Sequence, residues 1–336
     1  MPEASIISKI LNSDVKHIER IGDGRNSRIY KVVCENFKQY AAKFYFHHSS
    51  DDRDRLSVEY SSLEFLWERG IRCIAKPVMV DREHSYAVYE YIEGDKISSK
   101  EVNRSDVDCC IEFLCSLKKL RNTSDSMELP TASEACLSIR AIIDNIYHRL
   151  DRLQVLQSED ELHRELNDFL RTEFSLSLRE NIASCTTGLQ ELGISFEDEL
   201  QLEERTLSPS DFGFHNAVKR KNGEIVFLDF EYFGWDDPAK TISDFLLHPA
   251  MELGNDLKNR FLIGMLECFN ENHKLGRRVE ILYPFFKLKW CLILLNEFVP
   301  QDLCRRNFAS DSALNKREAQ NEQLKKAKLM IKRELI

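Results

Sequence analysis

Residues 207–238 open with Leu207-Ser208-Pro209-Ser210-Asp211-Phe212-Gly213-Phe214-His215-Asn216 and close with Leu228-Asp229-Phe230-Glu231-Tyr232-Phe233-Gly234-Trp235-Asp236-Asp237-Pro238. Between them lies Lys221-Asn222-Gly223-Glu224, whose Asn-Gly pair favours a two-residue type I′ hairpin turn. That turn sets 221 opposite 224. Carried outward, the register sets Asn216 opposite Asp229, with Cβ atoms about 5 Å apart on one face. An amide oxygen and a carboxylate side by side form a hard-oxygen pair suited to Mg²⁺. A slip of one residue would undo the juxtaposition, so the inference rests on the turn.

Asp211 stands five residues before Asn216, and Asp229 thirteen after it. This is the spacing of catalytic and metal loops in phosphoryl transfer. Asp211 would accept the proton of an attacking hydroxyl, while Asn216 and Asp229 would hold the metal that bridges nucleotide phosphates. Upstream, Gly22-Asp23-Gly24-Arg25-Asn26-Ser27 links two expected strands, where small residues let backbone N–H groups approach phosphate. Lys43 interrupts the apolar run Ala41-Ala42-Lys43-Phe44-Tyr45-Phe46, a position where a charge is costly unless paired. Glu59 lies on the apolar face of the next helix and is its expected partner, and the pair would position the α/β-phosphates.

Further outward, the first part of the chain reads as β-rich. Short runs at 15–21, 28–33, 39–46, 75–80 and 85–91 carry β-branched and aromatic residues. One helix, 52–68, lies among them, with Gly70 fitting its C-cap. After Glu93-Gly94-Asp95 helical periods dominate, at 105–121, 132–155, 159–180, 256–272, 278–297 and 314–334, broken by a β island at 206–230. The expected fold class is α+β: two lobes, with a nucleotide-binding sheet and one helix over 1–93 and a helical part over 94–336.

Of 336 residues, 43% are hydrophobic and 31% charged, which excludes a disordered chain. Net charge −9 argues against a nucleic-acid polymer as partner, because phosphate backbones are bound by clustered Lys and Arg. From Ser312 onward, however, seven Lys/Arg face three acids, and a solvated basic helix is expected. Ten cysteines without a C-x-x-C motif read as buried free thiols of a reducing cytosol. Met1-Pro2-Glu3-Ala4-Ser5 lacks the basic segment and long apolar core of a signal peptide, so a cytoplasmic protein is expected. Lys287 and Lys289 interrupt the most apolar stretch, Tyr283 to Val299, which is therefore expected as a buried helix, with no membrane span.

Gly22-x-Gly24, Lys43, Glu59, the segment Val88-Tyr89-Glu90-Tyr91-Ile92-Glu93-Gly94, Asp211 with Asn216, and Asp229 occur in an order that resembles aminoglycoside phosphotransferases and choline kinases. These are small-molecule relatives of the protein kinases. Asp229-x-Glu231 followed by Asp237-Pro238 and Asp244 is the most diagnostic part. The likeness covers roughly residues 15–250. It implies the two-lobed protein-kinase-like fold, with ATP and Mg²⁺ as cofactors. It also implies that Glu90 and Ile92 offer backbone groups to adenine and that Asp244 braces the catalytic loop. The family usually carries His where this chain has Pro209, and Glu231 stands where protein kinases have Gly.

Only seven residues separate Asp229 from Asp237, and no Ala-Pro-Glu follows, so a small hydroxylated substrate is favoured over a protein. Glu231 and Asp236 are weighed both as acceptor ligands and as structural acids. Phe285, Phe286, Trp290 and Asn296 are weighed both as walls of an acceptor pocket and as core. His215 reads as a satisfied loop histidine. A nucleotide-binding scaffold without turnover remains the rival reading, and a protein kinase a more distant one.

Overall fold

The structure, a computed structural model, describes residues 7–8, 14–23, 27–45, 53–154, 160–299 and 316–335. The chain packs into two compact units, each discontinuous in sequence. The first contains the described residues up to Ile97 and takes in Asn216–Phe233, a segment that the expected boundary at 93/94 assigned to the helical part. The second contains Ser98–His215, 234–299 and the C-terminal helix.

In the first unit, β1 (Val15–Asp23), β2 (Ser27–Cys34), β3 (Gln39–Tyr45), β4 (Pro77–Asp81) and β5 (Tyr86–Glu90) form one antiparallel sheet in the order β1-β2-β3-β5-β4. Helix α1 (Arg55–Glu68) starts at Asp54, whose side chain accepts the Ser57 N–H, and ends before Gly70 at φ +84°. Strand alternation sorts β3 into two faces. Ala42 joins the buried cluster of Val32, Cys34, Tyr86 and Val88, while Lys43 and Tyr45 point the other way, toward Glu59 of α1.

The hairpin of this unit pairs Ala217 with Phe227, Val218 with Val226 and Lys219 with Ile225. Its register is one residue away from the expected one. The loop has three residues: Gly223 donates to the Arg220 carbonyl, Arg220 donates to the Glu224 carbonyl, and Gly223 alone takes positive φ, +89°. The Asn222 side chain meanwhile accepts the Glu224 N–H, which stabilises the bulged turn over the two-residue one. Leu228, not Asp229, therefore lies opposite Asn216 and donates to its carbonyl at 2.8 Å.

The second unit contains α2 (Arg104–Leu120), α3 (Ile139–Gln154), α4 (Glu161–Phe169), α5 (Ser175–Leu192), α6 (Pro238–Leu247), α7 (Asn255–Cys268), α8 (Leu275–Leu294) and α9 (Lys316–Met330). A π-helical turn, Leu170–Phe174, joins α4 to α5, and a ribbon pairs Thr206–Ser208 with Gly234–Asp236. Helix α6 was missing from the expected helices. All ten of its residues are buried. Helix α8 lies at the centre of the unit and packs on α3, α5, α6 and α9. Its Phe285 and Phe286 are fully buried, which makes them core and removes them as pocket walls.

The basic C-terminal helix differs from the solvated one expected. Leu324, Ala327 and Met330 of α9 are buried, while Lys326 and Lys328 pair with Glu322 and Glu165. Cys115 of α2 and Cys268 of α7 are joined as a disulfide with Cα atoms 6.0 Å apart, which corrects the free-thiol expectation for those two. Cys34, Cys73, Cys109, Cys110, Cys136, Cys185 and Cys291 are free thiols. Among the described residues no helix is long and apolar enough to cross a membrane.

Candidate active site

The residues with chemistry fall into two groups, one in each unit. In the first unit the Lys43 ammonium lies 2.6 Å from Glu59 Oε2 and 2.6 Å from Asp229 Oδ1. Glu59 also accepts the Tyr45 hydroxyl at 2.7 Å and the Phe230 N–H at 3.3 Å, so this buried carboxylate is fully satisfied. Burial works to deprotonate Lys43. The charges of Asp229 and Glu59, with Glu231 behind them, outweigh it and raise the lysine well above its ordinary value.

Glu231 is buried 3.8 Å from Lys43 and 3.7 Å from Arg55, at the first turn of α1. Burial, followed by the Asp229 charge, pushes its carboxyl up to about 7. It is an internal brace and cannot serve as an acceptor ligand. Carboxylate oxygens of Glu59, Asp229 and Glu231 lie within 4.8 Å of one another. Of the three, Asp229 is the one open to solvent, its side chain 39% exposed, and its backbone is held at φ +66°. Glu59 and Glu231 face Lys43, so the exposed carboxylate of Asp229 is the hard-oxygen group of the three open to a divalent cation. The slipped register removes the geometric reason to place Asn216 directly beside it.

The other expected nucleotide contacts are distributed along the same sheet. Gly22 pairs with Ile29 at a register shift of β1, and Ser27 is buried at the start of β2, whereas Gly24 lies outside the described residues. Glu90 donates its N–H to the Lys76 carbonyl. Ile92 follows β5, its side chain buried.

In the second unit Asp211 sits on a strained loop. Its N–H bonds to the Pro209 carbonyl at 2.9 Å, closing a γ-turn around Ser210 at φ +67°. Three bonds hold that turn: Ser208 Oγ accepts the Ser210 N–H, Thr241 lies 3.2 Å from Ser208 Oγ, and Lys240 donates to Ser210 Oγ at 3.0 Å. Phe212 anchors the far side, stacked on Phe113 and Phe245. The Asp211 side chain remains 38% exposed.

Lys240 is fully buried, 2.7 Å from Asp236 and 3.2 Å from Asp244. Burial opposes its charge, but the two carboxylates more than compensate and raise its pKa. Asp236, also fully buried, is therefore structural and does not face an acceptor. One oxygen of Asp244 meets Lys240, and its other oxygen accepts Trp290 Nε1–H at 2.7 Å. Sequence reasoning missed Lys240, although Asp236 and Asp244 stand four residues to either side of it, the spacing of helical ion pairs. His215 has its Nε2 3.0 Å from Asp211 Oδ1, with His248 Nε2 3.5 Å from the same oxygen. No signal in the sequence links positions 215 and 248.

No family model matches the sequence, and no curated protein matches it by sequence. Solved structures do match in fold. Choline kinase LicA from Streptococcus pneumoniae is 16% identical, with 98% of this chain and 97% of that one covered at a TM-score of 0.60. An ethanolamine kinase from Plasmodium vivax is 15% identical, with coverage of 96% and 83% and a TM-score of 0.59. The spectinomycin phosphotransferase APH(9)-Ia, solved with ADP and spectinomycin, is 13% identical, with coverage of 97% and 98% and a TM-score of 0.58. The chain thus has the protein-kinase-like fold of these small-molecule kinases.

Proposed function

We propose that the protein is an ATP- and Mg²⁺-dependent phosphotransferase that moves the γ-phosphate to a hydroxyl of a small molecule. The observation that carries the reading is the Lys43 ammonium held at 2.6 Å from both Glu59 and Asp229. A buried lysine pinned between a structural carboxylate and a solvent-facing one is placed to meet phosphate oxygens on one side. In this reading Lys43 binds the α/β-phosphates, Glu59 orients Lys43, and Gly22, Gly24 and Ser27 border the phosphates. Glu90 and Ile92 face the adenine.

Asp229, with Asn216, would hold Mg²⁺, which when bound neutralises phosphate charge. Asp211 orients the acceptor hydroxyl and takes its proton. The strained, triply anchored loop supports that role, because catalysis here is mainly positioning. The neighbours named for choline, ethanolamine and spectinomycin indicate the acceptor class: hydroxylated molecules that carry amines. Burial of Glu231 and Asp236 leaves the amine to be met by other residues.

The test supplies ATP, Mg²⁺ and a library of sugars, amino alcohols and aminoglycosides to wild type, Asp211→Ala and Asp229→Ala. Transfer in the wild type that falls at least about 100-fold in both variants is expected. Undiminished transfer in either variant overturns the assignment. ATP binding with no transfer to any acceptor would identify a scaffold instead.

A further inference from the structure

His215 and His248 lie 33 positions apart in sequence, yet their rings stack face to face with centroids 3.8 Å apart and planes 4° from parallel. Both are mostly buried, with side chains 17% and 14% exposed. Both present Nε2 to Oδ1 of Asp211, at 3.0 Å and 3.5 Å. The Trp290 ring meets His248 edge-on at 4.7 Å and 84°, and its indole N–H is tied to Asp244, so the outer ring of the stack is buttressed.

The proton positions follow from the other ring nitrogens. His248 Nδ1 accepts the Ala250 N–H at 3.2 Å and so bears no proton in the neutral ring, which places the proton on Nε2. His215 Nδ1 is buried with no hydrogen-bond partner. A proton there would be a buried unsatisfied donor, whereas a bare nitrogen is the lesser penalty, so His215 also carries its proton on Nε2. Two N–H groups thus converge on one oxygen of one carboxylate.

We propose that His215 and His248 are positioning residues that clamp Oδ1 of Asp211 and fix the rotation of its carboxylate toward the acceptor hydroxyl. This rests on the reading of Asp211 as the base. The direct hydrogen bond comes from His215. His248 adds its N–H dipole and holds the His215 ring flat by stacking. Misplacement of a reacting group by about 1 Å lowers rates by about 100-fold, so the orientation of this carboxylate matters to turnover. Position 209, which holds proline, supplies no imidazole to this loop. The stacked pair supplies two from elsewhere in the same unit.

The test uses the full chain in two arms. Long-range ¹H–¹⁵N spectra of the histidine rings should show Nε2–H tautomers for His215 and His248, and Asp211→Ala should move the His215 signals. An Nδ1–H tautomer for His215 overturns the clamp. So does stoichiometric Zn²⁺ bound by both rings, which would make the cluster a metal site.

In the kinetic arm, read with the best acceptor of the library or as Mg²⁺-dependent ATP hydrolysis, His215→Leu should lower kcat about 10- to 100-fold, with KM for ATP within about twofold. His215→Gln, which returns an N–H near the Nε2 position, should recover most of that loss. His248→Phe, which keeps the stack and the Trp290 contact, should lose less than His215→Leu. Equal losses in the Gln and Leu variants, or a raised KM for ATP, overturn the positioning role. Absence of Asp211-dependent turnover in the wild type overturns the proposed reaction, while the tautomers still decide the pairing.

Discussion

Lys43 Nζ and Asp229 Oδ1 are 2.6 Å apart across 186 residues of sequence, which ties the 229–231 loop to the sheet. The same ammonium is Glu59's countercharge. Lys43→Met should therefore remove nucleotide binding and also leave Glu59 buried without a cation. Breaking a buried pair in this way destabilises by about 3–5 kcal/mol. The double variant Lys43→Met/Glu59→Gln should regain most of that stability in urea unfolding without regaining ATP binding. Recovery of both together would show that Lys43 has only a structural role.

Lys240 gives a parallel case with a different consequence. Its partners are the carboxyl groups of Asp236 and Asp244, and its bond to Ser210 Oγ reaches the residue beside Asp211. Lys240→Met should destabilise by about 3–5 kcal/mol, and Asp236→Asn added to it should restore much of that stability. The double variant should nonetheless turn over more slowly than wild type, because Ser210 has lost its anchor. A double variant with wild-type kcat would mean that the loop does not depend on Lys240.

These two networks mark how much the sequence disclosed. Lys43 and Glu59 could be paired by eye because a charge in an apolar strand demands a partner, and one acid lay on the helix face opposite. Lys240 has its partners at i−4 and i+4, Asp236 and Asp244, a spacing that becomes a signal only once 238–247 is read as a helix. The order Asp211, Asn216, Asp229 was legible as chain spacing. The register that was to bring Asn216 and Asp229 together was not, because one Asn-Gly pair fits either a two-residue loop or a bulged three-residue loop. The side-chain bond from Asn222 to the Glu224 N–H accompanies the second. His215 and His248 meet only through the tertiary fold.

The buried thiols have a defined pH behaviour. Burial pushes Cys185 up to about 11, and the thiolate is the form that alkylates. At a given pH a raised pKa means a smaller thiolate fraction, so native Cys185 should resist iodoacetamide at pH 8 and gain reactivity only as pH approaches 11. Unfolding in denaturant should make it react like an ordinary thiol near pH 8.5. Mass spectrometry of tryptic peptides reads this, and non-reducing digestion should also yield the 115–268 linked peptide. Ready modification of Cys185 in the native chain at pH 8 would contradict its burial between the helices.

Ser210 separates strain from anchoring at the catalytic loop. Positive φ is disfavoured for a residue with a Cβ by about 1–2 kcal/mol and is free of that penalty for glycine. Its hydroxyl meanwhile accepts the Lys240 bond. Ser210→Ala keeps the strain and loses the bond. Ser210→Gly loses both. The glycine variant should therefore be more stable than the alanine variant by about 1–2 kcal/mol, and both should show lowered kcat because neither holds Lys240. Urea unfolding gives the first comparison and ATP turnover the second. Equal stabilities would mean that residue 210 does not adopt the left-handed conformation in solution. Wild-type turnover in both variants would mean that Asp211 is positioned without Lys240, through the other contacts of its loop.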